Sequence, residues 1–524
     1  MLLAFWPVLL ASASTSAAAA PCEDPAPPSL ATTYGDGWGI DRRNTRYQPR
    51  SALTADNAAG LTLKWAYGLG SDTPRALPLV TEDTLFVGDD ARGIVALDRE
   101  TGCERWVFAH TGQIATAIVP ARVGAQALLV FTDRTAGVYA IDARDGSLIW
   151  HKTITEQPLP WYSGTPVVAN GRVFVPLSSF EVALAVNPLY GCCTTSGAMA
   201  ALDLATGEQL WYRATIEDPV RETGRHWLFV EKHGPSGAAV WGAPSYDETA
   251  GHVFFGTGQN YSHPTTDTSD AIFAVDGATG EVLWTRQFTA NDAYTAACNV
   301  ISLDHPNCPK PLGPDVDFGA ATMLLRAGDE MLLVAGQKSA EVHAMDAATG
   351  AVRWSKRLGR GGIIGGVHWG MAANEALSLL FVPISDKAVQ GFPSPGTAQP
   401  GLYALDIATG QQRWHYARDN RCPDEPCVFG LSAAVTAAND IVVIGSMDGY
   451  LEVLDATSGT PVWEHDAWRD YATINDVPAS GGAFDAHGAL LADDLLIVSA
   501  GYGYVGRQRA GNALLVFQLE PGNE

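Results

Sequence analysis

Trp241 stands in the run Gly-Pro-Ser-Gly-Ala-Ala-Val-Trp-Gly-Ala-Pro, whose small side chains leave room over an indole face. A flat aromatic with space above it can carry a planar cofactor by stacking, and an ordinary core tryptophan is the competing reading. Cys192 and Cys193 are adjacent. Neighbouring Cα atoms lie about 3.8 Å apart, below the roughly 4.4 to 6.8 Å that an unstrained disulfide prefers. Two readings stand there: a tight, rigid ring, or thiols that are free or separately paired. Cys298 and Cys308 enclose a Pro-containing loop, Cys422 and Cys427 enclose another, and Cys22 and Cys103 remain. All eight cysteines can pair, with the connectivity open, and a metal clip at Cys422 and Cys427 would offer two thiolates against a four-ligand norm.

Other chemistries find no foothold. Gly501-Tyr-Gly-Tyr-Val-Gly506 matches the dinucleotide fingerprint by letter, but the apolar run Leu514-Leu-Val-Phe517 follows as a strand where that site needs a helix N-terminus. There is no Walker A loop, no His-Glu-x-x-His and no Gly-x-Ser-x-Gly elbow, and without Cys-x-x-Cys-His no c-type haem is attached. The formal charge of −24 on 524 residues, with no long basic cluster, argues against nucleic acid and anionic lipid as partners. Residues 1–20 form an apolar, then Ala/Ser-rich stretch that fits a secretory signal, although no Lys or Arg precedes Phe5. The expectation is a mature chain of residues 21–524, periplasmic or secreted, with no other apolar run of about 18 residues that would span a membrane.

The elements that must position any site are legible as a repeat. An apolar pair, Asp, a short turn with Gly, and a Trp eight residues after the Asp recur seven times: Asp98 to Trp106, Asp142 to Trp150, Asp203 to Trp211, Asp276 to Trp284, Asp346 to Trp354, Asp406 to Trp414 and Asp455 to Trp463. Each copy reads as a β-hairpin with Gly at the positive-φ position. Trp65 looks like an eighth Trp-bearing strand whose partner is the tail Asn512-Ala-Leu-Leu-Val-Phe517. The mean interval of about 57 residues suits four short strands and their loops. The expected fold is all-β: one eight-bladed propeller of four-stranded antiparallel blades, closed by pairing of its two ends. The repeated Trp residues are then packing between blades. Insertions between Trp150 and Trp414 mark where function should concentrate.

Asn187-Pro-Leu-Tyr-Gly-Cys-Cys-Thr, Trp241 through Gly256-Thr-Gly-Gln-Asn-Tyr, Asp317-Phe-Gly-Ala, Gly336-Gln-Lys-Ser and Asp448-Gly-Tyr-Leu fall in a consistent order. With these motifs the chain resembles the quinoprotein alcohol dehydrogenases, periplasmic eight-bladed propellers that bind pyrroloquinoline quinone (PQQ) and a divalent cation, and within them the polyvinyl alcohol dehydrogenase branch. The resemblance implies Trp241 as the plank under the quinone. It implies Glu181, Asp317 and an amide at Gln259 or Asn260 as metal ligands. Asp317 would be the catalytic base and Lys338 the cation at the quinone oxygens. Ser163 and Ser178 would hold the cofactor's carboxylates. Gly319, where lanthanide-dependent members carry a second carboxylate, favours Ca²⁺, a hard cation suited to oxygen ligands. Cys192 and Cys193 match a cofactor-covering vicinal disulfide displaced along the chain, and Arg75 replaces an acidic residue that contacts the quinone.

The chemistry agrees with this assignment. An ortho-quinone that accepts hydride needs a Lewis acid or cation where charge develops, and a carboxylate to take the alcohol proton. The implied function is oxidation of a secondary or polymeric alcohol, with electrons passed to a separate soluble c-type cytochrome. The alternative is a cofactor-free exported propeller acting as a binding or assembly scaffold, and the Glu181, Trp241, Asp317 set discriminates between them.

Overall fold

The computed structural model describes residues 20–520 apart from 24, 72–73, 136, 227–228, 300–303, 388–395, 423–427 and 504–507. The expected signal segment lies outside the described residues except Ala20, as do Cys427 and the end of the Gly501–Gly506 motif. Alternating apolar runs pair as eight antiparallel four-stranded sheets, with one additional short strand, Pro160–Trp161, on the third. Closure is the expected one. Leu61–Gly68 pairs with Ala513–Leu519 from Leu61 opposite Leu519 to Gly68 opposite Ala513, so the first strand completes the last blade. A ring closed in this way leaves no blade with an open face.

The repeated turn shows why the ring holds. In the blade spanning 372–417, Asp406 Oδ1 accepts hydrogen bonds from Thr409 N at 2.9 Å and Thr409 Oγ1 at 2.8 Å. Gly410 N donates to Asp406 O at 2.8 Å with Gly410 at φ 68°. A Cβ on Gly410 would lie 2.6 Å from Trp354 of the preceding blade, so only glycine admits that ring. Trp354 Nε1 in turn donates to Ile407 O at 3.0 Å, one residue past the aspartate. Trp150, Trp211, Trp284 and Trp414 repeat this bond to the next blade, and Trp463 makes it across the closure to Leu61 O at 3.1 Å.

The N-terminal arm was not foreseen from the sequence. Residues 34–52 run along the innermost strands, with backbone bonds to Val80, Tyr246, Leu324, Ala373, Ala437 and Asp493. Arg46 is fully buried there, giving Nε to Val435 O at 2.6 Å and Nη2 to His487 O at 2.8 Å. Trp38 on this arm donates Nε1 to Trp369 O at 3.2 Å. Disulfides Cys22–Cys103, Cys192–Cys193 and Cys298–Cys308 are present, and Cys422 is also disulfide-bonded, which rules out the metal clip there.

Candidate active site

The loops that lead into the innermost strands converge on a cavity of about 430 Å³. Arg75, Ser163, Trp241, Asp317 and Trp369 each lie three to six residues before an inner strand, at Leu79–Val80, Val167–Ala169, Ser245–Asp247, Met323–Ala327 and Ala372–Asn374 respectively, so the strand starts deliver them to one place. Lys338 enters from the turn after Glu330–Gly336. Trp241 is half-buried and faces the cavity, with Trp369 edge-on at 5.7 Å and His368 edge-on at 5.9 Å between ring centroids. Its six-membered ring lies against Gly319, where a Cβ would stand 1.8 Å from Trp241 Cη2. The glycine that distinguishes this sequence at that position is therefore a steric requirement of the indole.

Around the ring edge the charges are concentrated. Trp241 Nε1 donates to Asp317 Oδ2 at 2.9 Å, and Lys338 Nζ lies 3.4 Å from the same oxygen. With its amide turned to satisfy its neighbours, Gln259 donates to Asp317 Oδ1 at 2.8 Å. Three N–H donors thus point at one carboxylate. Lys338 also donates to Asp315 Oδ1 at 3.0 Å and stands 5.9 Å from the centre of the Trp241 ring. Burial holds the Asp315 carboxyl well above the usual range, with Lys338 opposing and Asp317 reinforcing. Burial pushes Asp292 up to about 6 against the backbone N–H groups of Val316 and Asp315. Burial, then the nearby Asp292, raises Asp270 further. One ammonium does not offset the burial of these groups, so Asp270, Asp292 and Asp315 hold their protons more tightly than ordinary carboxyls.

The structure brings Arg75, Ser163, Ser178, Trp241, Gln259, Asp317 and Lys338 to one cavity and leaves Glu181, Asn260, Cys192 and Cys193 out of its lining. Glu181 is fully buried at the start of the single-turn helix Glu181–Leu184. Tyr190 Oη at 2.5 Å, Thr194 N at 2.9 Å and Thr195 N at 2.7 Å donate to its oxygens, with both threonine hydroxyls. Asn260 is equally occupied, giving Nδ2 to Ser236 O at 3.0 Å and accepting from Thr266 N at 2.9 Å. Of the four residues expected to bind calcium, Gln259 and Asp317 meet at the cavity, while Glu181 and Asn260 make their hydrogen bonds to the chain itself. Among the described residues no three His, Cys, Asp or Glu converge in a metal-binding group. The vicinal disulfide forms, but behind the cavity wall, in an apolar layer with Ala239 and Tyr261 against which Trp241 packs.

A quinone fits what remains. Arg75 Nε is buried without a partner among the described residues, which suits an anionic ligand. Ser163 and Ser178 hydroxyls sit 2.9 Å apart beside it, and Arg75 Nη2 donates to Ser163 O at 3.2 Å. Sequence reasoning missed Trp161, Asp315, His368 and Trp369 as lining residues. Trp161 and Trp369 carried a signal, since both stand outside the hairpin repeat, and Asp315-Val-Asp317 has the alternation that puts two acids on one face.

Residues 50–226 and 315–514 match the family described as outer membrane protein assembly factor BamB. The polyvinylalcohol dehydrogenase of Sphingopyxis sp. (strain 113P3) is 34% identical over 95% of this chain and 78% of its own length. That of a Pseudomonas sp. is 33% identical over 95% of this chain and 79% of its own. The chain belongs to the polyvinyl alcohol dehydrogenase family of quinoproteins. A solved quinohemoprotein alcohol dehydrogenase from Pseudomonas putida HK5 superposes with TM-score 0.68 at 18% identity, covering 94% of this chain and 81% of that one, which shows the shared propeller. For this polyvinyl alcohol dehydrogenase relative, the indole, the carboxylate and the ammonium are the parts of the family pattern that meet in space.

Proposed function

We propose that this chain is an exported PQQ-dependent dehydrogenase that oxidises secondary alcohol groups, including those of a polymeric alcohol, and passes electrons to a soluble c-type cytochrome. The observation that carries the reading is the convergence of Trp241, Asp317 and Lys338 at one cavity. When bound, PQQ supplies a hydride acceptor. Trp241 supports its flat face, while Arg75, Ser163 and Ser178 hold anionic groups at the cavity edge. Asp317 takes the hydroxyl proton, and Lys338 stabilises negative charge beside it. A low-dielectric pocket strengthens both effects. No step is routed through a metal.

A binding scaffold would gain nothing from enclosing four aspartates and a lysine, because buried charges cost several kcal/mol each unless paired. The −24 charge would steer a basic cytochrome at low salt, so the oxidation rate with such an acceptor should fall as ionic strength rises. The deciding experiment loads the protein with PQQ, with and without Ca²⁺, and follows absorbance and dye reduction with 2-propanol, 1-butanol and polyvinyl alcohol. Dye reduction on any of them supports the reading. Silence on all three under both conditions overturns it.

A further inference from the structure

Exposed apolar side chains fall into two sets. Leu148, Leu210, Leu283 and Val352 stand singly on outer strands of different blades, which is ordinary for a globular surface. The second set follows Val182, which lies inside the cavity. Val182 lines the cavity from the helix Glu181–Leu184. Beyond that helix the chain runs through two tight turns, with Ala185 N donating to Glu181 O at 3.0 Å and Val186 N to Ala183 O at 3.2 Å, then Leu189 N to Asn187 Oδ1 at 3.0 Å and Tyr190 N to Asn187 O at 3.0 Å. Two exposed apolar residues follow Val182 in these turns. They are Val186, 42% exposed, and Leu189, 65% exposed.

The stripe is held in place and bordered on both sides. Asn307 Nδ2 ties the carbonyls of Ala185, Asn187 and Tyr190 at 3.2, 3.0 and 3.0 Å, so the segment is fixed. On one side Phe180 lies tilted against the cavity-lining Trp161, with ring centroids 4.8 Å apart. On the other, the His226 imidazole bonds the carbonyl of Pro188, the residue before Leu189, and Phe229, whose N donates to His226 O at 2.8 Å, is 83% exposed.

We infer that the stripe Val182, Val186, Leu189 is a docking track that leads an extended aliphatic polyol chain into the cavity. The inference rests on the function proposed above and names how a polymer, as opposed to a small alcohol, is engaged. A backbone of alternating methylene and hydroxymethine carbons is apolar along its length and keeps its hydroxyls toward water. It gains from a continuous hydrophobic strip that ends where one hydroxyl must meet Asp317. A small alcohol fits inside the cavity and gains nothing from the strip.

The test compares the PQQ-loaded wild type with the Val186→Ser/Leu189→Ser double variant, using dye as acceptor and either polyvinyl alcohol or 2,4-pentanediol as substrate. Both positions are solvent-facing, so folding is undisturbed. The expected result is a loss of about tenfold in kcat/KM on the polymer with the diol rate within about twofold. Retardation of the protein in a native gel cast with polyvinyl alcohol should weaken in parallel, and this readout needs no turnover. An unchanged polymer rate and retardation, or an equal loss on both substrates, overturns the track. A changed KM for a cytochrome acceptor with polymer kinetics intact gives the patch to the acceptor and overturns it too. A wild type that oxidises neither substrate defeats the functional reading, while gel retardation still judges the track.

Discussion

The Trp354–Gly410 contact and the Trp241–Gly319 contact are the same device used for opposite ends. Both set an indole on a glycine that no other residue could replace without collision. At the blade junction every polar neighbour is then satisfied: Trp354 Nε1 has Ile407 O, and Asp406 has Thr409 and Arg413. At the cavity the indole N–H goes to Asp317 instead, one of four enclosed aspartates, and burial leaves three of them with raised proton affinity. The junction is built to be stable, and the cavity tolerates electrostatic strain because its groups are arranged for a ligand and a proton transfer.

The largest difference between the two should appear on removing a carboxylate. Asp317→Asn keeps the size of the side chain and an acceptor for Trp241 Nε1. It should retain PQQ by absorbance while turnover falls by about 10² to 10⁴, the usual worth of a positioned base. A normal rate would remove Asp317 from the mechanism. Asp406→Ala, the matching change at a junction, should leave turnover alone and cost about 1 kcal/mol of stability in thermal melts.

The paired glycines come next. Gly319→Ala puts a methyl 1.8 Å from Trp241 Cη2, so the ring must leave its place and the Asp317 bond with it. PQQ affinity, measured by absorbance titration, should weaken by at least about tenfold. Gly410→Ala meets Trp354 at 2.6 Å and also forces alanine to φ 68°. It should cost roughly 1–3 kcal/mol in stability with affinity for the cofactor unchanged. Equal loss of cofactor affinity in both variants would erase the distinction between scaffold and site.

What could be read from the sequence follows the same division. The blades were legible because seven copies of one turn average out local ambiguity, and the aspartate, glycine and tryptophan of each copy have a single physical use. Trp241, Asp317 and Lys338 were legible only through motif order, and the structure brings them together. Glu181 and Asn260 lie outside the cavity lining, and their hydrogen bonds could not be read from motif order. A carboxylate or amide has the same letter whether it faces a cavity or closes a turn on Thr194 and Thr195, and only three-dimensional bookkeeping of donors separates the two. The arm carrying Trp38 and Arg46 was illegible for another reason. It lacks any periodicity, and its bonds go to carbonyls 389 and 441 residues away.

The smallest expected effect concerns protons and has opposite signs in the two regions. Inside the blades, burial lowers His343 and His465 to about 4. A histidine whose folded pKa lies below its unfolded value contributes stability above about 6.5, and that stability is lost as pH falls toward 4. At the cavity, Asp292 is raised to about 6, so its buried proton favours the folded state below the usual carboxylate range and that contribution is lost as pH rises through about 6. Between pH 7 and 5.5 the blades should therefore lose about 1 kcal/mol per histidine while the cavity is relieved of part of its electrostatic strain. Melting the protein at both pH values checks this. His343→Gln together with His465→Gln should shrink the acid-induced drop, and added salt should not, since desolvation rather than surface charge sets the histidine shifts. If salt abolished the drop, surface charge rather than burial would be its source, and the contrast between blade and cavity would lose its electrostatic half.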